Sequence, residues 1–177
     1  LLDHFKRTID RDDLTVVSPD MGRVRVADVW SDKLGAPLAI IHKRRDPDVP
    51  NEVKVFEVVG DVRDRLCIVV DDMIDTGGTI AKAAETLFEN GARDVVVAAT
   101  HGILSDPAAQ RLANSGINEV VVTNTLPIPE DRRFDQLTVL SIAPLLAKAI
   151  REVFTACGPA SSSSSAPCTR AAPSRTP

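Results

Sequence analysis

Cys67-Ile68-Val69-Val70-Asp71-Asp72-Met73-Ile74-Asp75-Thr76-Gly77-Gly78-Thr79-Ile80 reads as a buried strand, a turn and the start of a helix. The apolar run ends in two adjacent carboxylates, Asp71 and Asp72, and a small, glycine-rich turn follows. Glycine permits positive φ. Successive backbone N–H groups of such a turn converge into an anion cradle at the positive end of the next helix. Thr76 and Thr79 add hydroxyl donors, so the ligand favoured here is a phosphate. Carboxylates at the strand end suit sugar hydroxyls or a metal-bound group beside that phosphate. The plain alternative is an ordinary strand-to-helix turn whose acids cap the helix. Capping alone does not explain paired acids followed by Asp75-Thr76-Gly77-Gly78-Thr79.

Upstream, residues 1–9 form a short helix or linker with Leu1, Leu2, Phe5 and Ile9 on one side. Leu14-Thr15-Val16-Val17 is a short β-branched run, read as a parallel strand. It stops at Ser18-Pro19-Asp20, and residues 24–34 follow as a helix with Val26, Val29, Trp30 and Leu34 apolar. Gly35 and Pro37 end that helix. Leu38-Ala39-Ile40-Ile41 is the next strand. Residues 42–51, HKRRDPDVPN, lack apolar periodicity and are expected to form a polar, mobile loop. Strand character returns over residues 52–59.

Downstream, residues 79–90 are amphipathic, with Ile80, Ala83, Ala84 and Leu87 on one face and Asn90-Gly91 as the cap. Strands are expected at 95–99, 120–122 and 137–139. Asp106 is expected to N-cap a helix ending near Leu112. A final helix over 142–154 is expected to turn Leu145, Leu146, Ala149 and Val153 inward. Strands alternate with helices, and the strands are continuous apolar runs. That pattern predicts an α/β fold: three layers, a mainly parallel sheet with helices on both faces. Ligands of such sheets bind at the carboxyl ends of the strands. Asp20, Lys43, Asp71, Asp72, His101 and Asn124 all fall at such ends, which points to one shared site.

Of the 177 residues, 44% are hydrophobic and 26% charged, an ordinary globular composition. A net charge of -4 carries no nucleic-acid signature. Aromatics at 3%, with no Tyr, argue against base-stacking platforms. Cys67 reads as a small core residue, and Cys157 and Cys168 stand in a biased tail. Their spacing indicates neither a zinc site nor a disulfide framework. No apolar run approaches the roughly 20 residues of a membrane span, and no membrane partner is expected. Leu1-Leu2-Asp3-His4 is not a signal peptide, and a reduced, cytoplasmic setting is the expectation.

The Asp71–Thr79 segment resembles the phosphoribosyl-binding signature of the type I phosphoribosyltransferase fold. Val16-Val17-Ser18-Pro19-Asp20-Met21-Gly22-Arg23 is similar to the pyrophosphate-side loop of ribose-phosphate pyrophosphokinases. Ile41-His42-Lys43-Arg44-Arg45 resembles their catalytic flexible loop, and Thr100-His101-Gly102 and Val121-Val122-Thr123-Asn124-Thr125 also look like that family. The resemblance covers residues 1–154 almost throughout. It implies transfer of a pyrophosphoryl group from ATP to the C1 hydroxyl of ribose 5-phosphate, giving the activated sugar and AMP. It implies that Lys43 and Arg45 supply positive charge to the transition state and that Asp20 helps to hold Mg²⁺. It implies that Arg45, Asp71, Asp72, Asp75, Thr76, Gly77, Gly78 and Thr79 bind ribose 5-phosphate. A homo-oligomer is expected of the full-length protein.

That family's enzymes have two similar domains, the first supplying much of the ATP site and a His ligand for further Mg²⁺. Residues 1–154 correspond to the second domain, and the sequence, which opens without Met, is expected to be a piece cut at its start. Residues 155–177, with Ser161 to Ser165 in a row, are expected to be a disordered tail. Two other readings share the central loop. One is a phosphoribosyltransferase, which would need a base-recognising hood not visible here. The other is a non-catalytic subunit of a synthetase assembly.

Overall fold

The computed structural model describes residues 1–9, 13–45 and 54–156; at 43–45, 54, 55 and 156 it describes the backbone alone. In chain order the first unit, Leu1–Ile142, runs α1 (Leu2–Thr8), β1 (Leu14–Ser18), α2 (Val24–Leu34), β2 (Leu38–Arg45), β3 (Lys54–Val59), β4 (Leu66–Ile74), α3 (Gly78–Glu89), β5 (Asp94–Gly102), α4 (Ala108–Ala113), β6 (Glu119–Thr123) and β7 (Leu137–Leu140). A 3₁₀ turn spans Glu130–Arg132. The strands form one seven-stranded sheet in the order β3-β2-β1-β4-β5-β6-β7. Every neighbouring pair is parallel except β2–β3.

The continuous apolar strands follow from burial on both faces. On β4, Cys67 and Val69 join the core layer that also contains Ile80, Ala84 and Leu87 of α3 and Leu112 of α4. Ile68 and Val70 join the opposite layer with Phe5 of α1 and Ala27 and Leu34 of α2. Burial pushes the Cys67 thiol up to about 12, so it stays neutral and serves as packing. Trp30 is half-buried, with its ring 5.9 Å from that of Phe5.

The strand order fixes where a ligand can sit. The chain proceeds from β1 to β2 on one side and from β4 to β5 on the other. Strands β1 and β4 are adjacent and parallel, with Val16 opposite Ile68 and Val17 opposite Val69. Their carboxyl ends therefore share one edge at a switch point, where the connections leave a crevice.

At the amino end the same pair is fastened by polar groups. Arg65 donates from Nε to Thr15 Oγ1 (2.7 Å) and from Nη2 to the Leu14 carbonyl (2.8 Å). The Thr15 hydroxyl donates to the Asp61 carbonyl (3.0 Å), and the residue is fully buried. A buried hydroxyl that both donates and accepts is worth most when removed, because both partners are then left unsatisfied.

Three expectations are corrected here. The polar loop expected from His42 begins later, because residues 42–45 continue β2 and pair antiparallel with β3, Lys43 opposite Phe56 and Arg45 opposite Lys54. A neighbouring strand supplies ladder partners that local composition does not reveal. Residues 46–53, which hold the rest of that expected loop, lie outside the described residues. Asp106 does not cap α4: the Ala108 N–H is taken by the Ser105 carbonyl at 2.8 Å. The second unit contains α5 (Ala143–Ala156), on which Leu145, Leu146 and Val153 are exposed rather than inward. An apolar stripe shows that a face favours burial but not what buries it. The tail expected to be disordered falls, from residue 157 onward, outside the described residues, and residues 155–156 belong to α5.

Thr15→Val keeps the volume and removes the hydroxyl. It is expected to cost about 1–3 kcal/mol in urea-induced unfolding, and a loss below about 0.3 kcal/mol would show that the clamp contributes nothing.

Candidate functional site

Two loops meet at the shared carboxyl edge. After β1, Ser18 donates from Oγ to the Asp20 carbonyl (2.7 Å), which folds the chain back. Asp20 Oδ1 accepts the Gly22 N–H (2.7 Å) and the Arg23 N–H (3.1 Å), fixing the entry to α2. The capping alternative thus describes one oxygen of Asp20. The other oxygen has no protein partner among the described residues, and Asp20 is exposed.

After β4, Gly77 adopts φ +71°, a conformation that side chains resist. A Cβ there would also meet Leu112 Cγ at 3.2 Å. No side chain caps the start of α3. The first N–H groups of a helix have no intrahelical acceptor, so they are available to an anion. A pocket of about 150 Å³ opens there, lined by Asp71, Asp75, Thr76, Gly77, Gly78 and Thr79 together with Met73, Ile74 and Ile80. Arg111 of α4 donates from Nη1 to the Thr76 carbonyl from behind the loop. Because C=O and N–H of one trans peptide point in opposite directions, this bond turns the Gly77 N–H away from Arg111. A second cavity of about 610 Å³ adjoins the first through Gly78 and Thr79 and is lined by Asp20, Gly22, His42, Phe56 and Lys82.

Arg23 joins the two loops. Its Nε lies 3.1 Å from Asp71 Oδ1 and its Nη2 lies 2.7 Å from Asp72 Oδ2. Asp71 Oδ1 also accepts the Asp72 N–H at 2.8 Å. Asp72 Oδ1 is buried and has no hydrogen-bond partner among the described residues. Burial pushes the Asp71 carboxyl up to about 6; the neighbouring Asp72 side chain adds to the rise, while the Asp72 N–H and the Arg23 guanidinium pull it back. Burial therefore outweighs the ion pair.

Of the residues expected from sequence, Asp71, Asp75 and Thr76 to Thr79 share the smaller pocket. Asp72 lines neither cavity and pairs with Arg23, and Asp20 lines the adjoining cavity. Lys43 and Arg45 lie on β2, with side chains outside the described residues. His101 and Asn124 are not brought in. His101 Nδ1 lies 2.8 Å from Thr125 Oγ1, and Asn124 Oδ1 accepts the Ile142 N–H at 2.9 Å, so both fasten strand ends. Sequence reasoning missed Arg23 and Arg111 as partners of this site. Nothing in local spacing links Arg23 to Asp71 or Arg111 to Thr76, since only the sheet order makes them neighbours.

The fold class is shared with known structures. Orotate phosphoribosyltransferase from Aeropyrum pernix matches at TM-score 0.52 and 22% identity, over 80% of this chain and 67% of its own. Adenine phosphoribosyl transferase from Trypanosoma brucei matches at 0.53 and 18%, over 84% and 73%. This is the type I phosphoribosyltransferase fold. The profile of the phosphoribosyl synthetase-associated domain matches residues 46–159, and the chain belongs to that family. A ribose-phosphate pyrophosphokinase of Streptomyces coelicolor is 64% identical over 154 residues, 87% of this chain and 48% of that protein. One from Mycobacterium tuberculosis is 68% identical over 142 residues, 80% and 44% respectively. The crystal structure of phosphoribosylpyrophosphate synthetase from Mycobacterium smegmatis matches at TM-score 0.74 and 59% identity, over 87% and 48%. The chain spans about half the length of the curated relatives it matches.

The pH dependence of Asp71 has a definite sign. Its carboxyl sits near 6 in the fold against an ordinary value of 3.8, so the folded state binds more protons between those values. Its contribution to stability therefore falls as pH rises across that window. Asp71→Asn removes the titration. The unfolding free energy of Asp71→Asn relative to the parent is expected to rise between pH 4 and pH 7, measured by urea melts; a flat difference would reject the raised value.

Proposed function

We propose that the chain forms the ribose 5-phosphate half of a ribose-phosphate diphosphokinase site. The reaction read for the whole protein moves a pyrophosphoryl group from ATP to the C1 hydroxyl of ribose 5-phosphate, leaving AMP. The observation that carries this reading is the pocket at an uncapped helix start, lined by residues 76–79 and by the Asp71 and Asp75 carboxylates. Carboxylates accept from hydroxyl donors, and uncapped N–H groups call for an anion. A sugar phosphate offers both at once. High identity to ribose-phosphate pyrophosphokinases over most of the chain supports the reaction class.

In this reading the backbone of Thr76 to Thr79 and the two threonine hydroxyls hold the 5-phosphate, and Asp71 and Asp72 accept from the ribose hydroxyls. Asp75 borders the phosphate pocket. Lys43 and Arg45 are read as supplying positive charge to the pyrophosphoryl group as it moves, and Arg45 also as binding the sugar phosphate. The fit to Mg²⁺ rests on Asp20, whose one oxygen is used by backbone N–H groups and whose other is open. Mg²⁺ takes few protein ligands and keeps waters and substrate phosphates. When bound, Mg²⁺ would neutralise phosphate charge. The partners read here are ribose 5-phosphate and ATP, with a homo-oligomer for the full-length protein and a cytoplasmic setting; no helix of the described residues is long and apolar enough to cross a membrane.

Titrating ribose 5-phosphate into the chain by calorimetry is expected to give saturable binding below millimolar concentration, and no heat at millimolar ligand would overturn the reading. Joining the unmatched half of the Streptomyces coelicolor relative to this chain is expected to yield AMP from ATP and ribose 5-phosphate. In that chimera Lys43→Ala is expected to lower kcat about 10²- to 10³-fold; an unchanged rate would reject the role of Lys43.

A further inference from the structure

The chain has two methionines, Met21 and Met73, and both are exposed, at 61% and 45%. Methionine is among the residue types most often fully buried. Both stand in the walls of the two adjoining cavities. Met73, one residue past Asp72, lines the smaller cavity with Thr76 to Thr79. Met21, next to Asp20 in the turn after β1, lines the larger one with Gly78 and Thr79. The two core layers contain neither. The sulfur of Cys67 is buried as a neutral thiol, and oxidation favours exposed sulfur and thiolates. Among the described residues, the oxidisable sulfur open to solvent therefore lies at the site alone.

We propose that Met21 and Met73 are modification sites at which a hydroperoxide lowers the affinity for phosphate anions. The proposal rests on the ribose 5-phosphate reading. In the step, the thioether lone pair attacks one peroxide oxygen, and the S–O bond forms as the O–O bond breaks. The other oxygen takes up the displaced proton and leaves as water, or as an alcohol when the peroxide is organic. Sulfur loses two electrons and the peroxide gains them. A weak acceptor, the thioether, is thereby replaced by a polar sulfoxide oxygen that accepts hydrogen bonds and donates none. The cavity walls already carry Asp20, Asp71 and Asp75. A further acceptor beside them disfavours phosphate oxygens, which have no proton to offer it. The core layers are untouched, so the fold is kept.

Leucine is close to methionine in volume and has no sulfur to oxidise. The parent chain, Met21→Leu, Met73→Leu and the double variant are alkylated at cysteine, treated with hydrogen peroxide and then freed of it. Peptide mapping by mass spectrometry is expected to find one added oxygen at each methionine, with the urea-induced unfolding midpoint unchanged. Calorimetry with ribose 5-phosphate is expected to show about 10-fold weaker binding in the oxidised parent than in the untreated one. Within the double variant, whatever its own affinity, the same treatment is expected to change binding less than about 2-fold. Met73→Leu is expected to protect more than Met21→Leu, because Met73 lines the pocket at the helix start. Methionine sulfoxide reductases are expected to restore the oxidised parent.

Methionines that stay unoxidised, or full oxidation without loss of affinity, would overturn the proposal. An equal loss in the double variant would place the effect on another group and also overturn it. Loss of the unfolding transition on oxidation would make the methionines structural, with the same result. Absence of ribose 5-phosphate binding in the untreated parent would instead overturn the reading on which the proposal stands.

Discussion

The parallel pairing of β1 with β4 is the constraint on which the site depends. It places the ends of two strands that are about fifty residues apart in sequence on one edge of the sheet. Every contact between the Asp20 loop and the Asp71 loop follows from that adjacency. The pairing is held at both ends by chemistry of different kinds. At the amino end Arg65, Thr15 and Asp61 form a hydrogen-bond relay. At the carboxyl end Arg23 bridges to Asp71 and Asp72. Between them the residues are fully apolar, so register is held by packing in the middle and by polar groups at the ends.

The acid pair illustrates which effect wins at such an edge. Two carboxylates side by side disfavour ionisation, and burial disfavours it further. One guanidinium opposes both, yet Asp71 remains raised to about 6. A site balanced this way stores an unmet demand for donors, visible as the unpartnered Asp72 Oδ1. Proteins seldom leave a buried oxygen unpaired without another group to meet it. The demand is local, whereas the fold itself is satisfied elsewhere.

Much of this was legible from residues alone. The run Leu66 to Val70 is apolar without alternation, which implies a strand covered on both faces, and it proved central. Ile80, Ala83, Ala84 and Leu87 repeat at helical spacing and are all buried. The glycine-rich turn was legible because glycine permits positive φ, and Gly77 takes φ +71°. Long-range polar partners were not legible. A guanidinium at position 23 carries no mark that it pairs with position 71, and His101 and Asn124 carry none that they fasten strands. Residues 42–45 misled because their polarity resembles a loop, while the hydrogen bonds that make them a strand come from β3.

The charge distribution around the two cavities ties the remaining elements together. Asp20, Asp71 and Asp75 line them, and the lining cation Lys82 is matched by Glu85 at 2.7 Å. Arg23 is committed to Asp71 and Asp72. An anion entering this place would meet helix N–H groups and, in the same lining, the Asp71 and Asp75 carboxylates. The helix field falls off within one turn, whereas unscreened charges in a crevice reach further. The loop alone is therefore a weak anion site, and added cations must make it a strong one. In the proposed reading, Lys43, Arg45 and Mg²⁺ at Asp20 would supply that charge and offset the acids lining the two cavities.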